Sequence, residues 1–368
     1  MLGPAMDPKA VLEELGIELV WFDSMGAKSA CVTACRGLVV IDPGSAEMQP
    51  SYPLPSSEKR ALRRKAMERI GEACKKARVI IVTHYHYDHH ALPSDGDVDD
   101  PRAWFLGGKL LLLKNPNTYI NESQWHRARK FLEELLALSG DSLGRHLVEP
   151  RETEFRDPVE ELRIATSRDF GSYQRRREEL LRKGREWFEK LARLWGSEKW
   201  VEEGIELGDG TKILWAEGKS IQLPECTIEI LGPWFHGIEY DRTGWVTPVV
   251  IKTPRGVAFY TSDLMGPAIE DYAYEIARLR PRVVVADGPP TYLFPYMLNR
   301  INLERAVSNA AYIIEVAQPE LFIYDHHLLR EKRWRKRVER VFEVAKRVGT
   351  AVLTAAECLG LKPLIDTL

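Results

Sequence analysis

The chain has 368 residues, 44% of them apolar and 29% charged, an ordinary globular balance that excludes a disordered segment and supplies a large core. A formal net charge of −2 excludes a global basic field that would draw the whole molecule onto nucleic acid, so any basic patch must be local. No stretch approaches the roughly 18 uninterrupted apolar residues of a transmembrane helix, and no membrane span is expected.

Met1 to Gly16 lacks the charged region, apolar stretch and small-residue cleavage site of a secretory signal. Asp7-Pro8 followed by Val11, Leu12 and Leu15 predicts a short capped amphipathic helix instead. The five cysteines are odd in number and scattered, with no Cys-x-x-Cys pair. That pattern fits a reducing, cytoplasmic setting, with Cys31 and Cys35 as core packing on one strand face.

Short apolar runs rich in β-branched residues then recur along the chain. They are Leu38–Ile41, Val79–Val82, Leu110–Leu113, Thr227–Leu231, Val249–Ile251, Val257–Tyr260, Val283–Ala286 and Leu321–Tyr324. Several end in polar, Gly or Pro residues, the pattern of buried strands that feed functional loops. Helical patterns separate them, over Ser56–Arg78, Asp271–Arg280, Asn302–Val316 and Arg330–Val348. The alternation predicts a layered α/β architecture.

The middle of the chain, 95–219, reads differently. Two long helical patterns, Glu122–Ser139 and Ser172–Gly196, flank an acidic segment, Glu149–Glu161. Asn121 is the expected cap of the first, with Gln124 as its reciprocal partner, and Ser172 that of the second. The expectation is one domain, 1–368, carrying a largely helical insertion at 95–219.

Chemistry concentrates in His84-Tyr85-His86-Tyr87-Asp88-His89, directly after the Val79–Val82 strand. Three imidazoles and a carboxylate within six residues converge when they leave a buried strand in a turn. Their nitrogen and oxygen donors suit zinc, iron or manganese. A lone His-x-His would be an unremarkable surface loop; the full pattern after a strand is far more specific.

This run resembles the metal-binding motif of the metallo-β-lactamase superfamily, which implies an αβ/βα four-layer sandwich. Further strand-end segments extend the resemblance: Ile41-Asp42-Pro43-Gly44, Gly232-Pro233-Trp234-Phe235-His236-Gly237, Tyr260-Thr261-Ser262-Asp263, and Tyr324-Asp325-His326-His327. With Asn121-Glu122-Ser123-Gln124, Gly266-Pro267 and the run Asp287–Leu293, the chain is similar to an uncharacterised archaeal branch of that superfamily.

The resemblance implies a site of two divalent metals. His84, His86 and His236 would hold one, Asp88, His89 and His326 the other, and Asp263 would bridge them. The spacing from His326 to Arg330 resembles the His-x-x-x-Arg of nuclease relatives and favours His326 over His327 as the terminal ligand. Asp42 would buttress the site and His90 would lie behind it or at the surface.

The implied reaction is hydrolysis of an ester-type bond by metal-activated water, with Asp88 orienting the nucleophile and His327 (or His90) protonating the leaving group. Asp263 stands where β-lactamases of the superfamily carry Cys, and His86 where its di-iron flavoproteins carry Glu, so both of those activities are disfavoured. Phosphodiester, possibly nucleic-acid, substrates lead thioesters and lactones. The alternative of another class is a non-catalytic, metal-stabilised protein that binds nucleic acid or a partner.

Other features have simpler accounts. Lys59–Arg78 carries nine Lys/Arg against two acidic residues, and Arg330–Arg347 is similarly biased. With Arg175-Arg176-Arg177 they suggest a phosphate-tracking surface, but solvated helix faces with internal ion pairs explain them without one. Gly26-Ala27-Lys28-Ser29 reads as a hairpin turn. Asp287 is either part of a tight turn or a carboxylate behind the site.

Overall fold

A computed structural model describes residues 6–368. Two seven-stranded sheets form the centre. In spatial order the first contains Glu18–Phe22, Ala30–Ala34, Val39–Ile41, Val79–Val82, Leu110–Leu113, Lys212–Trp215 and Ile205–Glu206. The second contains Ser220–Gln222, Thr227–Ile230, Val249–Thr253, Gly256–Tyr260, Val283–Asp287, Leu321–Asp325 and Ala351–Leu353. Every apolar run anticipated as a strand is one.

The alternation within each strand builds the layers. Val39, Ile41, Val79 and Ile81 face Val249, Ile251, Val283, Val285, Leu321 and Ile323 across the sandwich. Their neighbours Val40, Ile80, Val82, Val284 and Phe322 face outward, into cores shared with the helices. A period of two thus gives each strand two apolar faces, which is how strands buried on both sides read. Ser56–Lys76 and Glu122–Ala137 contribute Met67, Ile70, Phe131 and Leu135 to this outer packing. Glu270–Arg278, Arg300–Ala317 and Glu339–Val348 contribute Ile276, Ile314 and Val341. The architecture is the expected αβ/βα four-layer sandwich.

Parallel pairing decides where function can sit. Val39–Ile41, Val79–Val82 and Leu110–Leu113 run parallel, as do Gly256–Tyr260, Val283–Asp287 and Leu321–Asp325. Their carboxyl ends therefore open onto one edge, the usual place for a site in such sheets.

Several sequence expectations need correction. The region 95–219 is not wholly an insertion: three of its strands, Leu110–Leu113, Ile205–Glu206 and Lys212–Trp215, belong to the first sheet. The long helices lie between, at Glu122–Ala137 and Gln174–Ser197. Ser172 caps nothing; it sits in a 3-10 turn, Gly171–Tyr173, and the following helix begins without a side-chain cap. Arg330–Val348 is broken into a 3-10 turn, His326–Arg330, and two helices, Trp334–Arg337 and Glu339–Val348. At the N-terminus the helix Pro8–Glu14 forms as expected, with the Asp7 side chain accepting from the Lys9 amide. The reading of Met1 to Ala5 within the leader argument lies outside the described residues.

The cysteine reading also changes. Cys35 does not simply pack: it is disulfide-bonded to Cys226, with a Cα–Cα distance of 5.6 Å across 191 residues of sequence. The pair closes the two sheets at the edge opposite the carboxyl ends. Disulfides persist in oxidising compartments and inside hyperthermophilic cells alike, so the cysteines no longer argue for one compartment. Among the described residues, no helix is long and apolar enough to cross a membrane.

Candidate metal centre

Five strand-end loops deliver the site. After Ile41 the chain turns at Asp42, after Val82 it enters Thr83–His90, after Tyr260 it reaches Ser262-Asp263, and after Asp325 it passes through His326-His327. The fifth, carrying His236, follows a two-residue strand, Trp234–Phe235, paired with Trp245–Val246. Asp42, Ser262 and His326 all adopt positive φ, at 54°, 51° and 55°. Such backbones cost energy for non-glycine residues and persist where the surroundings fix them, as loops that must re-aim a side chain within one residue require.

The geometry brings all seven expected ligands together. His84, His86, His236 and Asp263 present donor atoms within 4.8 Å of one another, and so do Asp88, His89 and His326. Asp263 divides its two oxygens between the groups. Its Oδ2 lies 3.4 Å from His84 Nε2 and 3.2 Å from His236 Nε2, whereas Oδ1 lies 2.9 Å from His89 Nε2 and 3.4 Å from His326 Nε2.

Hydrogen bonding does not account for this convergence. Both Asp263 oxygens and both His236 ring nitrogens are buried without a hydrogen-bond partner among the described residues. Buried polar atoms are otherwise nearly always satisfied. Lone pairs from two sides pointing at a common space are what a cation between them would stabilise, so the donor set fits divalent metals.

Behind the donors stand two carboxylates that fix the rings of His89 and His326. Asp42 Oδ2 accepts from His89 Nδ1 at 2.8 Å, from Thr83 Oγ1 at 2.7 Å and from the Tyr260 hydroxyl at 2.7 Å, while its Oδ1 accepts from the Thr83 amide at 2.8 Å. Asp23 Oδ1 accepts from His326 Nδ1 at 2.8 Å and from the Ser29 amide at 2.9 Å. Its Oδ2 accepts from Arg330 Nε at 2.6 Å. Carboxylates of this kind orient imidazole ligands and turn their other nitrogen toward the metal. Burial works against a charge on His89, but Asp263 and Asp42 outweigh it and hold the ring up at about 10. Asp23 and Asp263 likewise overcome burial to raise His326.

His326 and His327 take different roles. His326 faces His89, Nε2 to Nε2, at 3.2 Å. His327 instead sets Nδ1 2.9 Å from Asp287 Oδ1, and its ring lies 6.0 Å from that of His236. Asp287 is therefore more than a turn residue: it also accepts from the Met265 amide at 2.9 Å. Burial, with Asp263 nearby, raises its carboxyl to about 7. His90 is buried rather than exposed and packs edge-on against Tyr85 and Phe131. Tyr85 is core, donating to the Lys114 carbonyl at 2.6 Å, while Tyr87 is exposed beside Arg127.

The helical segment has a definite task here. Gln124 does not complete a reciprocal cap; its Oε1 accepts from the Tyr85 amide at 2.9 Å and its Nε2 donates to the Thr243 carbonyl at 2.6 Å. One side chain thus ties the His84–His89 loop to the His236 loop. Asn121 caps its helix through the Gln124 amide and donates to the Arg242 and Thr243 carbonyls. From the other side, Trp187 stacks on Trp245 at 5.5 Å, and Arg177 and Arg305 both bind buried Glu239.

Asp23 is the site residue that sequence reasoning missed. A single Asp before a hairpin turn carries no local signal; only the approach of Asp23 to His326 and Arg330, some 300 positions away, gives it meaning. The hairpin expectation for Gly26–Ser29 holds, since Phe22 pairs with Ala30 antiparallel.

The sequence model of the metallo-beta-lactamase superfamily matches residues 30–91. A "UPF0282 protein" of Korarchaeum cryptofilum is 30% identical over 93% of this chain and 88% of its own length. The chain belongs to the UPF0282 family. Another UPF0282 protein, from Aeropyrum pernix, is 30% identical over 94% of both chains. Among solved structures, the metallo hydrolase Igni18 of Ignicoccus hospitalis aligns over 94% of this chain and 95% of its own with 11% identity and a TM-score of 0.37. Unliganded yeast PDE1 aligns over 92% and 97% with 8% identity and a TM-score of 0.42. This UPF0282 chain thus carries the superfamily's fold and His/Asp clusters able to hold divalent metals.

The closest backbone approach in the centre lies at Gly44 of this UPF0282 chain. A Cβ there would stand 2.3 Å from the His90 amide nitrogen and 2.6 Å from the His89 carbonyl carbon. Neither atom can yield without moving the ligand loop. Gly44→Ala is expected to cost about 3 kcal/mol of stability and to lower metal content. Denaturant unfolding with metal analysis checks this, and wild-type values for both would count against the tight packing of residues 42–44 on the ligand loop.

Proposed function

We propose that the protein is a hydrolase of phosphodiester bonds that works with two divalent metals, zinc being the expected occupant and iron or manganese compatible with the same donors. The observation that carries this reading is the division of the Asp263 oxygens between two imidazole sets, an arrangement that suits a pair of ions and has no structural use without them. When bound, such ions supply Lewis acidity and a nucleophile from water at neutral pH.

The chain's own residues would do the rest. Asp88, partly open at the edge, accepts a proton from the attacking water and holds its direction. Arg330, fixed by Asp23 and with Nη2 3.5 Å from Asp88 Oδ2, offers a planar donor to a phosphoryl oxygen. That guanidinium favours a phosphodiester over a thioester or lactone, because a carbonyl carries no second anionic oxygen to neutralise. His327 delivers a proton to the leaving oxygen from Nε2 while its Nδ1 takes one from the Asp287 carboxyl, which burial raises to about 7.

Metal analysis of the purified protein is expected to give two ions per chain, with hydrolysis of bis-p-nitrophenyl phosphate that chelation abolishes. Two metals without hydrolysis of that diester, together with an Asp88→Asn variant that keeps its cellular role, would instead support a metal-stabilised binding protein. His327→Gln should reduce kcat about 10²- to 10⁴-fold on an alkyl diester, whose leaving group needs a proton, and much less on the p-nitrophenyl ester. Equal losses on both substrates would remove His327 from the proton-donor role.

A further inference from the structure

We infer that the cleft between the helix Arg300–Ala317 and the segment Arg333–Arg340 binds a single strand of nucleic acid and leads it to the metal centre. This deepens the phosphodiesterase reading, and rests on it for the chemistry. The cleft has a volume of about 1020 Å³ and is lined by six basic residues and one acidic residue, Glu304. In a chain whose net charge is −2, that concentration is local and one-sided.

Three of the six cations are engaged, Arg168 with Glu270, Arg300 with Glu304 and Arg337 with Glu331, and the other three are free to meet a ligand. Arg333 and Lys336 are exposed and pair with no carboxylate among the described residues, and Arg340 reaches only the Ser308 hydroxyl, at 3.1 Å. The other basic stretches are engaged in part: Arg177 is buried on Glu239, Arg176 pairs with Glu179 within its helix, and Arg63 with Asp95 and Asp97. Exposed cations without a carboxylate also stand at Arg60, Lys65, Lys76, Arg78 and Arg175; what distinguishes Arg333, Lys336 and Arg340 is that they line one cleft.

Two further observations select a nucleic acid among polyanions. Tyr296 is 95% exposed and Met297 81%, on the segment that begins at Asp287 and passes Phe294 in the cleft wall. An aromatic ring held in water two residues from the cleft wall at Phe294 offers a stacking platform for a base, which with nearby cations is how single strands are bound without sequence preference. Both walls also start at the metal centre. Asp287, which binds His327, leads through the turn Thr291–Leu293 to Phe294, and His326–Arg330 leads directly to Arg333. Arg330 lies between, 5.6 Å from the Tyr292 ring. The chain thus joins both cleft walls to Arg330 and, 3.5 Å from it, Asp88.

Fluorescence anisotropy of the full-length protein with labelled oligo-dT and oligo-U of about 16 nucleotides, across a salt series, tests this. Wild type is expected to bind with affinity that falls steeply with salt. Arg333→Glu with Lys336→Glu should weaken binding at least tenfold and flatten the log–log salt slope by about 1.4, the release expected for two single-strand phosphate contacts. Tyr296→Ala should weaken it about tenfold with the slope unchanged, and should not weaken binding of inorganic polyphosphate. Each variant is compared at an unchanged thermal midpoint.

Unaltered affinity in both variants overturns the proposal. So does binding of anionic phosphatidylserine vesicles, but of neither oligonucleotide, through the same residues. If the wild type hydrolyses bis-p-nitrophenyl phosphate yet binds no oligonucleotide, the cleft assignment fails and the hydrolase reading stands. If the oligonucleotide binds as described but no diester is cleaved, the reverse holds.

Discussion

Asp263→Asn is expected to release at least one of the two proposed metals and to lower the proposed hydrolysis at least a thousandfold. The argument is geometric and electrostatic. Asp263 is 1% exposed and lies in contact with four imidazoles, with one oxygen toward His84 and His236 and the other toward His89 and His326. An amide offers a neutral oxygen on one side and an N–H donor on the other, so one of the two ion positions would face a hydrogen instead of a lone pair. A metal contributes several kcal/mol of transition-state stabilisation, and each 1.36 kcal/mol is a factor of ten in rate, which gives about a thousandfold or more. Mass spectrometry of the native protein counts the ions. A variant that kept two metals and most of its activity would show that Asp263 does not bridge them.

Reduction of the Cys35–Cys226 disulfide should bring the second large effect, on stability rather than chemistry. The bond closes a loop of 191 residues, and on the chain-entropy account so long a loop contributes about 5 kcal/mol by constraining the unfolded chain. It joins the turn after Ala30–Ala34 to the start of Thr227–Ile230, so it pins one sheet to the other far from the metal loops. The Cys35→Ser variant should therefore unfold at lower denaturant, with no change in metal content. Thiol titration gives an independent check. Unfolded but unreduced protein should expose three thiols, those of Cys31, Cys74 and Cys358, and reduced protein five. Five thiols before reduction would refute the bond.

The two effects separate the halves of the molecule along the strand direction. The carboxyl ends of the parallel strands carry ligands, and the amino ends carry the covalent tie. Between them lies an apolar slab in which Val39, Ile81, Val285 and Ile323 meet across the sheets. Movement at the metal edge is limited further by Glu239, buried on Arg177 and Arg305, beneath the loop that carries His236. Removing one member of such a cluster leaves buried charge unpaired, so its expected service is to hold the loop's position rather than to add net stability.

The side chains that converge at the centre could be read from the chain because each is local to a strand end. A run such as Val79–Val82 declares a buried strand by its apolar β-branched residues, and whatever follows it must lie at a sheet edge. His84, His86, Asp88 and His89 needed nothing more. His236, Asp263 and His326 needed only the repetition of that pattern and a family resemblance. The four-layer fold was legible for the same reason, since strands with two apolar faces require helices on both outer sides.

What stayed hidden is what depends on approach between distant segments. Asp23 acquires its role from His326 and Arg330, Gln124 from Tyr85 and Thr243, and Cys35 from Cys226. None of these has a signature within a few residues, because a hydrogen bond or disulfide records only distance in space. The amino-acid sequence by itself determined the periodicities, and with them the sheets, the helices and the candidate metal donors. The tertiary structure alone decided which carboxylate steadies which imidazole, that Asp23 lies behind His326 and Asp287 behind His327, and which cations line one cleft. Those choices follow from close packing and burial, where a polar group without a partner is too costly to keep.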